Sequence, residues 1–366
     1  MKKALMVVLV LLLTLPFAFA SGEGEKTQEV QAKIGIAFDV GGRGDKSFND
    51  SAYRGLRQLA EEYNGYIAGD PDQVDHGNQV ELKYLEPKQG GQDREQLLRV
   101  MAEDGYGLIF GVGFAYTDTL QKVAKDFPDT HFVLIDSRIP ELTEDSNITS
   151  VTFKEHEGSF MLGALAGLWL KDNAPGGKLG YIGGMDTPLI HKFHGGYMAG
   201  AMYVNENLRS EGMIMGQYIG QDPTAFNQPQ VAERIANNMY GNGAEIIYHA
   251  SGASGSGLFQ AAYDNDKWAM GVDSEQGVVY RSSDSEQEQS IGEHIMTSML
   301  KRVDTSVFNL GKEYLENDGE VDGGYVSYGL ANNGVALARN DWNADIIEPY
   351  SDELDSLREQ IENCDI

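Results

Sequence analysis

From Lys33 onward the chain alternates short apolar runs of strand length with amphipathic runs of helix length, and the alternation restarts midway. KIGIAFDV, VELKYLE, GLIFGVG, HFVLID and NITSVTF read as strands, with helices predicted over residues 51–63, 93–102 and 118–127. GKLGYIGG, IMGQYIG, AEIIYHAS and WAMGVD follow, separated by helical patterns over residues 157–171, 194–208, 229–240 and 257–265. A helix over 292–308 and a strand GGYVSYGL close the pattern. Such βαβα repetition is the signature of parallel, doubly wound α/β sheets. Two rounds of it predict two lobes joined by several crossings. The expected boundaries are 33–150 and 151–277, with 278–325 returning to the first lobe, 326–350 to the second, and a tail over 351–366.

In open α/β sheets, ligands bind beyond the C-terminal strand ends, and two facing lobes bring those ends to one cleft. The residues after each strand are therefore the informative ones. Asp39, Phe48 and Asn49 follow the first strand, and Phe114 and Asp118 the third. The HKFHGGY run with Phe193, the turn SGASGSG with Gly252, and Asp273 follow strands of the second half. Phe48 and Phe193 stand in polar, glycine-containing surroundings, where an apolar ring needs a cover. Each residue also has a plain structural reading: Asp39 as a helix cap, Phe193 as second-lobe core.

The loop DVGGRGDKSFND looks at first like a phosphate cradle, but the spacing excludes it. A P-loop needs Gly-x-x-x-x-Gly-Lys-Ser/Thr. With Lys46 and Ser47 aligned, Val40 and Asp45 stand where the glycines belong. The tripeptide Arg43-Gly44-Asp45 is too short a match to carry meaning.

Residues 1–20 read as a secretory leader: Lys2 and Lys3, an apolar stretch from Leu5 to Phe19, and Ala18-Phe19-Ala20 as the cleavage site. An acidic, flexible segment over 21–32 follows, and a mature periplasmic or secreted protein is expected. About 345 residues would remain, enough for two ordinary domains. The lone Cys364 allows no internal disulfide and no lipid attachment at the leader. The net charge of −28 repels nucleic acid and anionic membrane. His191 and His194 are too few for a zinc site, and neither a metal nor a cofactor is expected.

DVGGRGDKSFNDSAYRGL resembles the signature of the basic membrane protein family of bacterial ABC-type substrate-binding proteins, among them purine nucleoside receptors. The resemblance continues through GVGFAYTDTL, FPDTHFVLID, FKEHEGSFMLGALAG, GYIGGMDTPLIHKFHGGYMAG, ASGASGSGLFQAA, GVDSEQ and TSMLKRVD, and so covers nearly the whole chain after the leader. It implies a type I periplasmic-binding-protein fold, with two parallel-sheet lobes hinged around a ligand cleft. It also implies a monomer that hands a nucleoside to ABC permease subunits in the inner membrane.

Carried over residue by residue, the resemblance makes Phe48 and Phe193 the two rings that stack on a purine. Asp39, with Asn49 beside it, would bind the base edge; Asp273, Gly252 and Lys301 would approach the ribose, and Asp118 is a further ligand candidate. The chemistry agrees: two aromatic faces suit a flat π-system, and carboxylates accept hydrogen bonds from hydroxyls and N–H groups. A binding protein rather than an enzyme is expected. A sugar ligand, a chemoreceptor role and a secreted nucleoside hydrolase are the alternatives.

Overall fold

The computed structural model describes residues 30–366, so the leader and most of the acidic segment lie outside the described residues. The chain first lays down β1 (Ala32–Ala37), β2 (Gly65–Ile67), β3 (Val80–Leu85), β4 (Leu108–Val112), β5 (His131–Ile135) and β6 (Ile148–Phe153). It then builds β7 (Lys178–Met185), β8 (Ile214–Gly220), β9 (Ala244–Ala250), β10 (Trp268–Asp273) and β11 (Ile295–Lys301). Two short strands end the series: β12 (Gly324–Tyr328) and β13 (Val335–Leu337).

These strands form two sheets, in the orders β12-β6-β5-β4-β1-β3-β2 and β13-β11-β10-β9-β7-β8. All pairings are parallel except that of β13 with β11. Strands β4 and β5 are buried along their whole length, as central strands covered on both faces must be.

The helices that position the cleft are α1 (Phe48–Glu62), α2 (Arg94–Glu103), α3 (Thr117–Asp126), α4 (Glu155–Asn173) and α5 (Pro188–Val204). Helices α4 and α5 pack backbone to backbone. A side chain at Gly163 would meet the Tyr197 carbonyl, and one at Gly200 the Phe160 carbonyl. This close approach fixes α5, which carries Phe193.

The chain passes between lobes three times: after β6 at Lys154, after β11 at Arg302, and between β12 and β13. The crossings are tied to one another, since Lys154 N–H donates to Tyr328 O at 2.8 Å and Arg302 N–H to Gly334 O at 2.9 Å.

This path corrects the expected return points. Residues 278–301 stay with the second lobe, because β11 pairs with β10 there. Only the helix Val303–Glu316, packed on α1, and β12 return to the first. Residues 292–308 are not one helix. The run IMTSMLK is buried almost throughout as β11, and its apolar residues Ile295, Met296, Met299 and Leu300 fall in pairs four apart, a spacing that mimics one face of a helix. The segment 351–366 is not a bare tail either: Ser351–Glu362 is a helix that buries Leu354 and Leu357.

Candidate ligand-binding site

The strand ends of both sheets face one cavity. Its walls come from the loop after β1, from Gly113 and Phe114 after β4, and from Asp136 after β5. The second lobe supplies α5, Phe226, the Ala250–Gly252 turn after β9, Asp273 and Lys301. The cavity volume is about 60 Å³.

The first-lobe loop is organised around Asp45. Its carboxylate accepts from the backbone N–H groups of Ser47 at 2.9 Å, Asn49 at 2.9 Å and Asp50 at 3.1 Å, and from Asn49 Nδ2 at 2.9 Å. It thus satisfies the free donors at the start of α1. Burial nevertheless pushes its pKa up to about 7. Asn49 in turn accepts from Asp39 N–H through Oδ1 at 2.9 Å. Asn49 is therefore an internal brace whose oxygen and nitrogen both have protein partners.

Asp39 is paired with Arg94 of α2, whose Nη2 donates to Oδ1 at 2.6 Å. Burial raises the Asp39 pKa, and Arg94 opposes that rise. Gly113, at φ 108°, stands where any side chain would strike Asp39 Oδ2. The Arg94 hydrogen bond goes to Oδ1, not to Oδ2.

Lys301 is buried at the base of the cavity. Its ammonium contacts Asp136 at 2.6 Å and Glu155 at 3.1 Å, and the rings of Phe48, Phe153 and Phe193 surround it at 5.0 to 5.3 Å. Burial pulls its pKa down, but Asp136, Glu155 and Asp273 outweigh that, so it stays charged. Burial lifts Asp136 to about 6, with Lys301 opposing. Asp273, raised by burial and held back by Lys301, ends β10 in the left-handed region at φ 63°. Asp136 sits at φ 71°. Two carboxylates at strand ends in this uncommon conformation mark a strained, organised site.

Of the eight residues singled out in the sequence, seven line this cavity: Asp39, Phe48, Asn49, Phe193, Gly252, Asp273 and Lys301. Asp118 does not. It lies exposed in the first turn of α3, because the short helical turn Phe114–Tyr116 carries Phe114 inward and leaves the next turn outside. Phe193 stands within α5, not in a loop, since Pro188 starts the helix earlier than expected. Gly252 adopts φ 56° beside the Phe226 carbonyl.

Sequence reasoning missed Phe226, Asp136, Glu155 and Arg94. Phe226 lies in the polar run QDPTAFNQP after β8 and meets the same test that found Phe48. Asp136 ends HFVLID and satisfies the strand-end rule. Arg94 had no local signal, because its partner Asp39 is 55 residues away.

Comparison with known proteins points the same way. A family model described as ABC transporter substrate-binding protein PnrA-like matches residues 32–363. An uncharacterized lipoprotein of Pyrococcus abyssi is 32% identical over 328 residues, covering 89% of this chain and 73% of that protein. The ABC transporter nucleoside-binding protein BmpA of Lactococcus lactis is 31% identical over 330 residues, covering 86% of this chain and 83% of its own. A solute-binding protein of an ABC transporter system from Aeropyrum pernix superimposes with TM-score 0.73 at 26% identity, covering 92% of each chain. The two lobes are those of the type I periplasmic-binding-protein fold. Proteins of this class are extracytoplasmic, non-enzymatic receptors that deliver small molecules to permease components. The chain belongs to the Bmp family of PnrA-like ABC transporter substrate-binding proteins.

Proposed function

We propose that the cleft captures a nucleoside, of the purine class, for delivery to a membrane permease. The observation that carries this reading is the pairing of aromatic walls with carboxylates. Phe48 and Phe114 come from the first lobe and Phe193 and Phe226 from the second, with Asp39 on one side and Asp273 on the other. Aromatic faces on both lobes suit a flat, neutral base. Phe48 and Phe193 are read as the stacking pair, Asp39 Oδ2 as an acceptor for base N–H groups, and Asp273 as an acceptor for ribose hydroxyls beside Lys301 and Gly252. The name of the Lactococcus relative supports the ligand class.

The polar side chains of the site are largely committed as donors within the protein: Arg94 to Asp39, Lys301 to Asp136, and Asn49 Nδ2 to Asp45. What remains for a guest is mostly acceptor. That favours a neutral, donor-rich nucleoside over a phosphorylated one.

The test is mass spectrometry of ligand released when freshly purified protein is denatured. A nucleoside mass is expected. A sugar mass would turn the same aromatic and carboxylate walls to the alternative ligand class. We further read the protein as a monomer freed by cleavage after Ala20. Some relatives are named lipoproteins, so an intact mass of the membrane-fraction and soluble forms decides between a trimmed and a lipid-bearing chain.

A further inference from the structure

We propose that His249 is a positioning residue that makes the Ser251 hydroxyl an obligate hydrogen-bond acceptor in the binding cavity. This point of the wall then reads a ribose O–H and rejects a group that can only accept. The choice of ribose rests on the nucleoside reading above; the polarity of Ser251 does not.

Ser251 follows β9 directly and lines the cavity, beside the strand that ends in Asp273. His249, two residues earlier on the same strand face, is fully buried. Its Nδ1 lies 3.1 Å from Ser251 Oγ and its Nε2 3.1 Å from Gln276 Oε1. The Val272 backbone N–H donates to the same Gln276 oxygen at 2.8 Å. A backbone N–H can only donate, so the Gln276 atom between Val272 and His249 is the carbonyl oxygen and accepts from both. The imidazole proton therefore sits on Nε2, Nδ1 is bare, and Ser251 must donate to it. A hydroxyl has one proton. With that proton committed, Ser251 offers a guest lone pairs alone.

The arrangement is locked. Burial holds the His249 pKa down at about 4, which keeps the ring neutral. A side chain at Gly255 would overlap the ring, and Phe259 packs edge-on at 5.2 Å. Turning the ring over would set carbon against both Ser251 and Gln276. Gln276 is itself anchored, its N–H donating to Ser298 Oγ at 3.1 Å.

The test has two arms on the full chain. In the first, long-range proton–nitrogen correlation spectra of histidine-labelled, ligand-free protein report the His249 tautomer, assigned with His249→Asn. A proton on Nε2 at neutral pH is expected. A proton on Nδ1, or a cationic ring, overturns the proposal whatever the ligand is.

In the second arm, calorimetry compares adenosine with its 2′-, 3′- and 5′-deoxy and fluoro analogues. At one hydroxyl position, both replacements should weaken wild-type binding about tenfold, since fluorine accepts but cannot donate. Ser251→Ala should bind adenosine about tenfold more weakly and lose discrimination at that position. His249→Phe frees the Ser251 proton, so the fluoro analogue at that position should regain affinity while the deoxy analogue stays weak; His249→Asn, whose oxygen can take the Ser251 proton, should keep both penalties. Full discrimination by Ser251→Ala overturns the proposal. Should wild type bind no nucleoside at all, the ligand class fails, and the tautomer spectrum still decides the polarity of Ser251.

Discussion

The Ser47 hydroxyl donates to Asp273 Oδ2 at 2.5 Å, and Ser274 Oγ donates back to the Ser47 carbonyl at 2.8 Å. Two neighbouring residues of the second lobe thus grip one residue of the first. Lys46 adds a 2.6 Å ion pair to Glu288 and lies 4.2 Å from the Tyr280 ring. These bonds close the lobes over the cavity, and Ser47 takes one of the two oxygens that Asp273 offers.

Closure should therefore be reversible and sensitive to Ser47. Ligand-free protein is expected to show a larger radius of gyration by small-angle scattering than protein saturated with nucleoside. Ser47→Ala removes a hydrogen bond to a charged group, worth about 1.5–3 kcal/mol, and should shift the population toward the open form. Identical curves in all four states would argue for a rigid pocket.

Phe48→Ala and Phe193→Ala should each weaken nucleoside binding by about 1–3 kcal/mol, the usual value of one base–aromatic stacking partner. Asp118→Ala should change it by less than about 0.5 kcal/mol, since that side chain is exposed and outside the cavity. Calorimetric titration distinguishes them; equal effects at all three positions would dissolve the site as drawn.

Lys301→Met should destabilise the fold by about 3–5 kcal/mol, because it leaves Asp136 buried without its cation and Glu155 with Lys192 alone. Urea unfolding measures this. Combining Lys301→Met with Asp136→Asn and Glu155→Gln should recover part of the loss. No recovery would mean that packing, not charge, sets the penalty.

Acid should act through His131. Burial lowers its pKa to about 4, and its Nε2 lies 2.8 Å from Thr149 Oγ1, whose own proton goes to the Asp322 carbonyl. Its native pKa lies below the unfolded value of about 6.5. The unfolded chain thus binds a proton that the native one refuses, and stability falls as pH drops from about 6.5 to about 4. Asp45 and Asp136, both raised by burial, act in the opposite direction. The contribution of His131 therefore shows as a difference: wild type should lose about 3 kcal/mol more over that range than His131→Gln. Parallel pH profiles would contradict this assignment.

Much of this architecture was legible because strand–helix alternation is a local signal, and the strand-end rule turns it into a map of the cleft. Phe48, Asp39 and Asp273 follow directly from that rule. The hidden parts depend on distance in sequence. Arg94 meets Asp39 only through the fold, and the role of Ser47 appears only when the second lobe closes on it. The β11 strand was unreadable for a different reason: almost wholly buried, IMTSMLK repeats its apolar pair Ile295-Met296 four residues on as Met299-Leu300, which is a helical spacing. Asp118 misled because one helical turn separates a residue at the cleft from one in solvent.

The central claim is that the cavity holds a nucleoside through rings and carboxylates drawn from both lobes. Calorimetric titration of protein stripped of ligand by unfolding and refolding tests it most directly, with adenosine, guanosine, inosine, ribose and glucose as titrants. The account predicts saturable one-to-one binding of the nucleosides, with ribose and glucose giving no measurable heat. Saturation by a sugar with none by any nucleoside would contradict it.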